Sequence, residues 1–264
     1  MPALTYTQAL SIPLLTIHTP ALAVSALLMR RHGPRASYET WFSLFLFSLS
    51  RLAYASLQLA TLAHRHRANA ALRVAAATLA VDGLSPLLFA ALGLLRRHMR
   101  ALDEGPRPAQ GQAAGKRPSV ATALCLLEAL VTAAMVCATV GNARLSRADV
   151  LAAEPHYGSP YRAAAVLYLV GFAGVVVAAG VVARERQSVD KAERRVLCAV
   201  GVALPFLFVR SLYLALGVLG GVEACKTVGG GATAFLCMAL LPEAVVVVAF
   251  LGVGVGLKVG EGGK

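Results

Sequence analysis

The sequence predicts an all-α membrane bundle of seven transmembrane helices. Three observations carry this expectation. Of the 264 residues, 58% are hydrophobic and only 14% charged. The mean hydropathy is +0.68. The apolar residues collect in long runs separated by short basic or Gly/Pro-rich segments. A soluble domain of this length does not need that much apolar surface for one core, so the excess is expected to face lipid.

Crossing about 30 Å of hydrocarbon at 1.5 Å per residue takes about 20 residues. Runs of that length lie at Leu10 to Met29, Trp41 to Leu62, Ala71 to Leu95, Ser119 to Val140, Tyr161 to Val182, Val196 to Leu219 and Ala232 to Leu257. β-barrel strands would be about half as long and would alternate polar with apolar residues, which these runs do not. The whole chain, 1–264, reads as one membrane domain.

The first run has no basic residue before it and carries Arg30, Arg31 and Arg35 after it, which predicts an uncleaved, translocated N terminus. The first, third and fifth connections and the C-terminal tail hold three, six, five and two Lys or Arg. The N terminus and the second, fourth and sixth connections, with their flanking Arg73 and Arg162, hold none, three, three and one. Sixteen against seven places the tail in the cytoplasm and the N terminus outside it. Tyr38, Trp41, Tyr157 and Tyr161 fit aromatic belts at the two interfaces.

The longest basic connection, about 96–118, contains Asp103-Glu104-Gly105-Pro106-Arg107-Pro108 and is expected to be a flexible cytoplasmic loop. The net charge of +12 is distributed among such connections and not along one face, so it reads as topology and not as nucleic-acid binding. Cys125, Cys137, Cys198 and Cys237 fall inside apolar runs and read as small core residues, with Cys225 in a loop.

Five ionisable residues interrupt the runs: Arg51, Asp82, Glu128, Arg210 and Glu243. A charge at bilayer depth costs about 2.5 to 3.5 kcal/mol on insertion scales, so such groups face the bundle interior and find partners. Arg51 and Arg210 lie roughly 15 and 21 Å from the inner ends of their spans, and Asp82 and Glu243 roughly 16 Å from the outer ends of theirs. The expected pairs are Arg51 with Asp82 and Arg210 with Glu243. Glu128 has no evident basic partner and is expected to be protonated.

The surroundings of the two arginines match: Phe47, Arg51 and Tyr54 in one, Phe206, Arg210 and Tyr213 in the other. Arg and Tyr three apart share a helix face. With an acid some thirty residues downstream of each, the pattern suggests a parallel three-plus-one-plus-three repeat. Pro86 and Pro242 lack the N–H that the carbonyls of Asp82 and Met238 would accept, and are expected to open the third and seventh spans towards a shared polar site. His18, between Pro13 and Pro20, is expected to be a hydrogen-bonded packing residue, with a ligand role as the lesser reading. Gly171, Gly174, Gly180, Gly252, Gly254 and Gly256 are expected to allow close helix packing.

The candidate ligand or ion-pair residues are therefore Arg51, Tyr54, Asp82, Pro86, Arg210, Tyr213 and Glu243, followed by His18 and Glu128. No lysine falls within a span, which argues against a retinal Schiff base. His32, His64, His66, His98 and His156 fall at loops or interfaces, which argues against intramembrane metal hydrolysis. No phosphate-cradling glycine loop is present. The chain is expected not to be an enzyme and to need no cofactor or metal.

Helix 2 around Arg51, the stretch Gly83-Leu84-Ser85-Pro86-Leu87-Leu88, and Pro205-Phe206-Leu207 with Arg210 and Tyr213 resemble a fungal family of seven-helix integral membrane proteins defined by a domain of unknown function. The resemblance covers nearly the whole chain. It implies the seven-helix topology and a fungal source, and it brings no activity, ligand or catalytic residue. A likeness in topology alone extends to fungal lipid-translocating exporters and to seven-helix receptors. The expected function is a transporter or translocator of a small molecule or lipid around a mid-membrane polar site. The alternative is a receptor or sensor whose basic loops contact a cytoplasmic protein. The bilayer is the one partner common to both.

Overall fold

The computed structural model describes residues 10–36, 38–63, 75–76, 79, 83–104, 118–144, 157–184, 191–226 and 230–257. Among these, the regular elements are helices: α1 (Ser11–Ala36), α2 (Tyr38–Ala63), α3 (Leu84–Glu104), α4 (Pro118–Ala143), α5 (Ser159–Arg184), α6 (Lys191–Val218) and α7 (Ala232–Gly256). A 3-10 turn, Glu223–Cys225, lies between α6 and α7. Six of these helices, all but α3, are long and apolar enough within the described residues to cross a membrane.

The six are apolar on nearly every side, the property of helices that meet both a core and lipid. Large apolar side chains such as Leu27, Leu126, Val177, Val202 and Val248 point outward. On α2 the inward face is drawn by Leu44, Phe47, Ser48, Arg51 and Ala55, all fully buried at helical spacing. On α1 it is drawn by Leu14, His18, Ala21, Ser25 and Leu28.

Helix α3 is central. It packs on α2, α4, α5 and α6, and Leu84, Leu87, Leu88, Ala90, Ala91, Leu92, Leu94 and Leu95 are almost completely enclosed. Around it α1 pairs with α2, α4 with α5, and α6 with α7. The expected loop at 96–118 begins later than its composition suggests, because α3 runs on to Glu104. Leu95, His98 and Met99 recur at i, i+3 and i+4 and are buried, so the helix still has a packed face beyond Arg96. His98 is accordingly inside and not interfacial. Residues 105–117 lie outside the described residues.

Other expectations change for reasons of packing. Trp41 and Tyr161, near the starts of α2 and α5, are buried against neighbouring helices. Their rings fit because glycine faces them: a Cβ at Gly254 would lie 2.7 Å from Trp41 Cζ3, and one at Gly141 2.8 Å from the Tyr161 side chain. Gly171 and Gly174 similarly accept Val131 and Leu127 of α4, whereas Gly180, Gly252 and Gly256 have open space around them and serve no close crossing. Cys125, Cys198 and Cys237 are exposed on the outside of the bundle and are not core residues; Cys225 is the buried one. At the α1 and α7 ends, the Arg31 guanidinium donates to the Val255 carbonyl at 3.3 Å, a cation on the negative end of a helix. Gly221, at φ +62°, turns the chain out of α6 in a conformation that favours glycine.

Candidate functional site

Three helices bring three charges together in the middle of the bundle. Arg51 Nη2 of α2 donates to Glu243 Oε1 of α7 at 2.5 Å. Arg210 Nε of α6 donates to the same oxygen at 2.6 Å. All three residues are at most 2% exposed. The Arg210–Glu243 pair is the one expected from the spacing. Arg51, expected to reach Asp82, also reaches across to Glu243. Asp82 itself lies outside the described residues.

Backbone just ahead of α3 closes the cluster. Arg51 Nη1 donates to the Leu79 carbonyl at 3.4 Å. At Gly83 a Cβ would overlap the Arg51 guanidinium, lying 2.7 Å from Cζ, and would come within 3.0 Å of Glu243 Oε1. Glycine is thus the residue that lets the chain press against two buried charges. Pro86 sits in the first turn of α3, a position proline tolerates, and Asp82, whose carbonyl its missing N–H would have met, lies outside the described residues.

An aromatic layer lies beside the charges. Tyr54 and Tyr213, each one turn beyond its arginine, both meet Phe235 of α7, with ring centroids 6.2 and 6.5 Å apart. The two arginine segments are alike in sequence and unlike in use. The Arg51 guanidinium lies over the Phe47 ring at 5.2 Å, and that of Arg210 over the Tyr213 ring at 5.6 Å.

His18 packs edge-on to Phe47, with centroids 5.4 Å apart. It is 2% exposed, yet among the described residues its Nδ1 has no hydrogen-bond partner, contrary to the expectation of a bonded packing residue. Ser48 Oγ, on the inward face of α2, is likewise buried and unpartnered.

Glu128 belongs elsewhere. It pairs with Arg96 of α3, which also holds Glu39 of α2 at 2.9 Å. The expectation of a partnerless Glu128 is therefore overturned, because Arg96 sits within α3 and not in a loop. Spacing arguments also missed Phe235 and Ser48. Only Phe235 left a signal, an aromatic two turns ahead of an intramembrane acid.

In α7 a π turn, Leu236–Leu240, separates Phe235 from Pro242 and Glu243, and the Leu241 N–H accordingly bonds to the Leu236 carbonyl. Pro242 follows this π turn, while α6 continues without a break through Pro205.

Apolar helices that enclose an ion cluster among their inward faces define a multi-pass membrane protein. The chain belongs to the family described as a domain of unknown function, DUF7702, which matches residues 4–260. No curated protein and no solved structure matches it.

Proposed function

We propose that this protein is a transporter or translocator that moves a small molecule or lipid past the Arg51–Glu243–Arg210 cluster. The observation that carries the reading is two guanidiniums sharing one carboxylate oxygen at the centre of the bundle, with His18 Nδ1 and Ser48 Oγ buried and unpartnered on the neighbouring inward faces. Ionisable groups held at mid-membrane depth are costly and commonly mark a substrate or ion pathway.

The reading includes seven crossings. Arg51 and Arg210 meet Glu243, and Tyr54 and Tyr213 meet Phe235, so α2 and α6 run the same way and α7 runs against them. Parallel α2 and α6 need an odd number of crossings between them, which α3, α4 and α5 supply only if α3 also spans. An odd total puts the termini on opposite sides, and the charge bias of the connections places the N terminus outside and the C terminus in the cytoplasm.

The test is flux. A deletion strain is profiled for accumulated metabolites and altered drug sensitivity, and the compound found is assayed in liposomes containing purified protein. Loss of flux in Arg51→Lys and Arg210→Lys, with both variants still monodisperse, supports the reading; unchanged flux in both rejects it.

A second reading is a receptor or sensor. It is favoured by the separate network in which Arg96 bridges Glu39 and Glu128, tying α2, α3 and α4 together at the basic end of the bundle as an ionic lock between two states would. Ligand-dependent recruitment of a cytoplasmic protein without any flux would select it.

A further inference from the structure

We propose that Tyr54, Phe235 and Tyr213 form an aromatic gate over the Arg51–Glu243–Arg210 cluster, and that the π turn at Leu236–Leu240 is the hinge that opens it. The proposal rests on the reading of the cluster as a substrate site.

The geometry begins with helix arithmetic. At 100° per residue, eight residues of regular α-helix would set Phe235 about 80° around the axis from Glu243. Taking up one additional residue in the wider π turn reduces the angle to about 20°. The π turn is thus what aligns Phe235 and Glu243 on one face of α7. With it, one helix face meets the tyrosines and the arginines of α2 and α6 at once. Without it, Phe235 swings away from the tyrosines while Glu243 keeps its arginines.

The ring it swings away from is a seam between two apolar clusters. Phe235 packs with Tyr54, Leu10, Leu14, Ala55 and Leu240 on one side, and with Tyr213, Cys225 and Ala239 on the other. It remains half-buried and at the edge of both, so its departure uncovers the cluster without breaking the deeper core centred on α3. Tyr54 is steadied by Gln58, whose Nε2 donates to its Oη at 3.2 Å, and Tyr213 by Arg210 against its ring face. Phe235 has neither kind of tie, which makes it the moving member.

Pro242 sets the bias. It has no N–H for the Met238 carbonyl, so the regular α form gains one hydrogen bond fewer there than an uninterrupted helix would. The wider turn is held at less expense than elsewhere in the helix, and the two forms are brought close enough to exchange.

The experiment needs no known substrate. Ser48→Cys, in a background with the native cysteines replaced, is labelled in sealed vesicles by a membrane-impermeant anionic methanethiosulfonate added at the α6–α7 face. Phe235→Ala raises the labelling rate about tenfold, since removing the ring shifts the closed form towards the open one. Phe235→Leu, which keeps most of the apolar volume, raises it less. Pro242→Ala raises it as well and, in a structure of that variant, gives regular α-helix through 236–240 with Phe235 off the tyrosines. Labelling rates equal to the parent's in folded Phe235→Ala and Pro242→Ala overturn the gate. A π turn retained in Pro242→Ala overturns the hinge. Gated labelling in a protein that moves no solute would reject the transport reading and leave the gate standing.

Discussion

Two ion networks in this protein use the same chemistry in opposite surroundings. In each, guanidinium and carboxylate groups bridge three helices: α2, α6 and α7 around Glu243, and α2, α3 and α4 around Arg96. About 18 Å of α2 separates them, the distance from Glu39 to Arg51. The first is sealed, with no member more than 2% exposed. In the second, Glu39 is 63% exposed and Glu128 26%. Burial makes the first indispensable once formed, because removing one partner strands a charge in a low dielectric. Exposure makes the second replaceable, because water and salt take over from a lost partner.

That difference sets an order of expected effects. Glu243→Gln leaves two guanidiniums without their shared anion and is expected to destabilise the protein by about 3 to 5 kcal/mol. Thermal unfolding followed by size-exclusion fluorescence reads this as loss of the monodisperse species at the parent's working temperature. Gly83→Ala drives a methyl into the Arg51 guanidinium and is expected to lose about 1 to 3 kcal/mol, the usual range for overpacking. If Gly83→Ala is neutral, α3 does not press on the cluster as described.

Arg96→Ala is the matching cut in the second network and is expected to cost about 1 kcal/mol or less. A double-mutant cycle of Arg96→Ala with Glu39→Gln in low and high salt checks it. The coupling should fade with salt, whereas a coupling measured between Arg51 and Glu243 should not. Gly180→Ala, facing open space, is expected to stay within about 0.5 kcal/mol of the parent. A large effect there would mean that this face of α5 meets something the single chain does not supply.

Much of the fold was legible because lipid imposes a length and a composition on whatever crosses it. The spans at Leu10, Trp41, Ser119, Tyr161, Val196 and Ala232 fall within α1, α2, α4, α5, α6 and α7 or within a residue of them. The third span runs on further at its C-terminal end than expected, since Arg96 and Arg97 look like a loop boundary until His98 and Met99 are seen to be buried; most of its first half lies outside the described residues. The site was legible in part. Arg210 and Glu243 paired as their depths suggested, and His18 proved to be inside. Glu128 was misread because its partner was counted as loop. Arg51 was matched to the next acid along the chain, yet Glu243, 192 positions away, also binds it.

From sequence alone came the membrane environment, the positions of most helices and the identity of the charges that had to be compensated, because each follows from local composition and from the penalty of placing polar groups in hydrocarbon. Which charge compensates which, where Phe235 stands relative to Glu243, and why position 83 is glycine were decided by the tertiary structure. Those facts depend on how helices rotate and approach one another, and in a chain whose helices are apolar on nearly every side, periodicity leaves rotation unspecified.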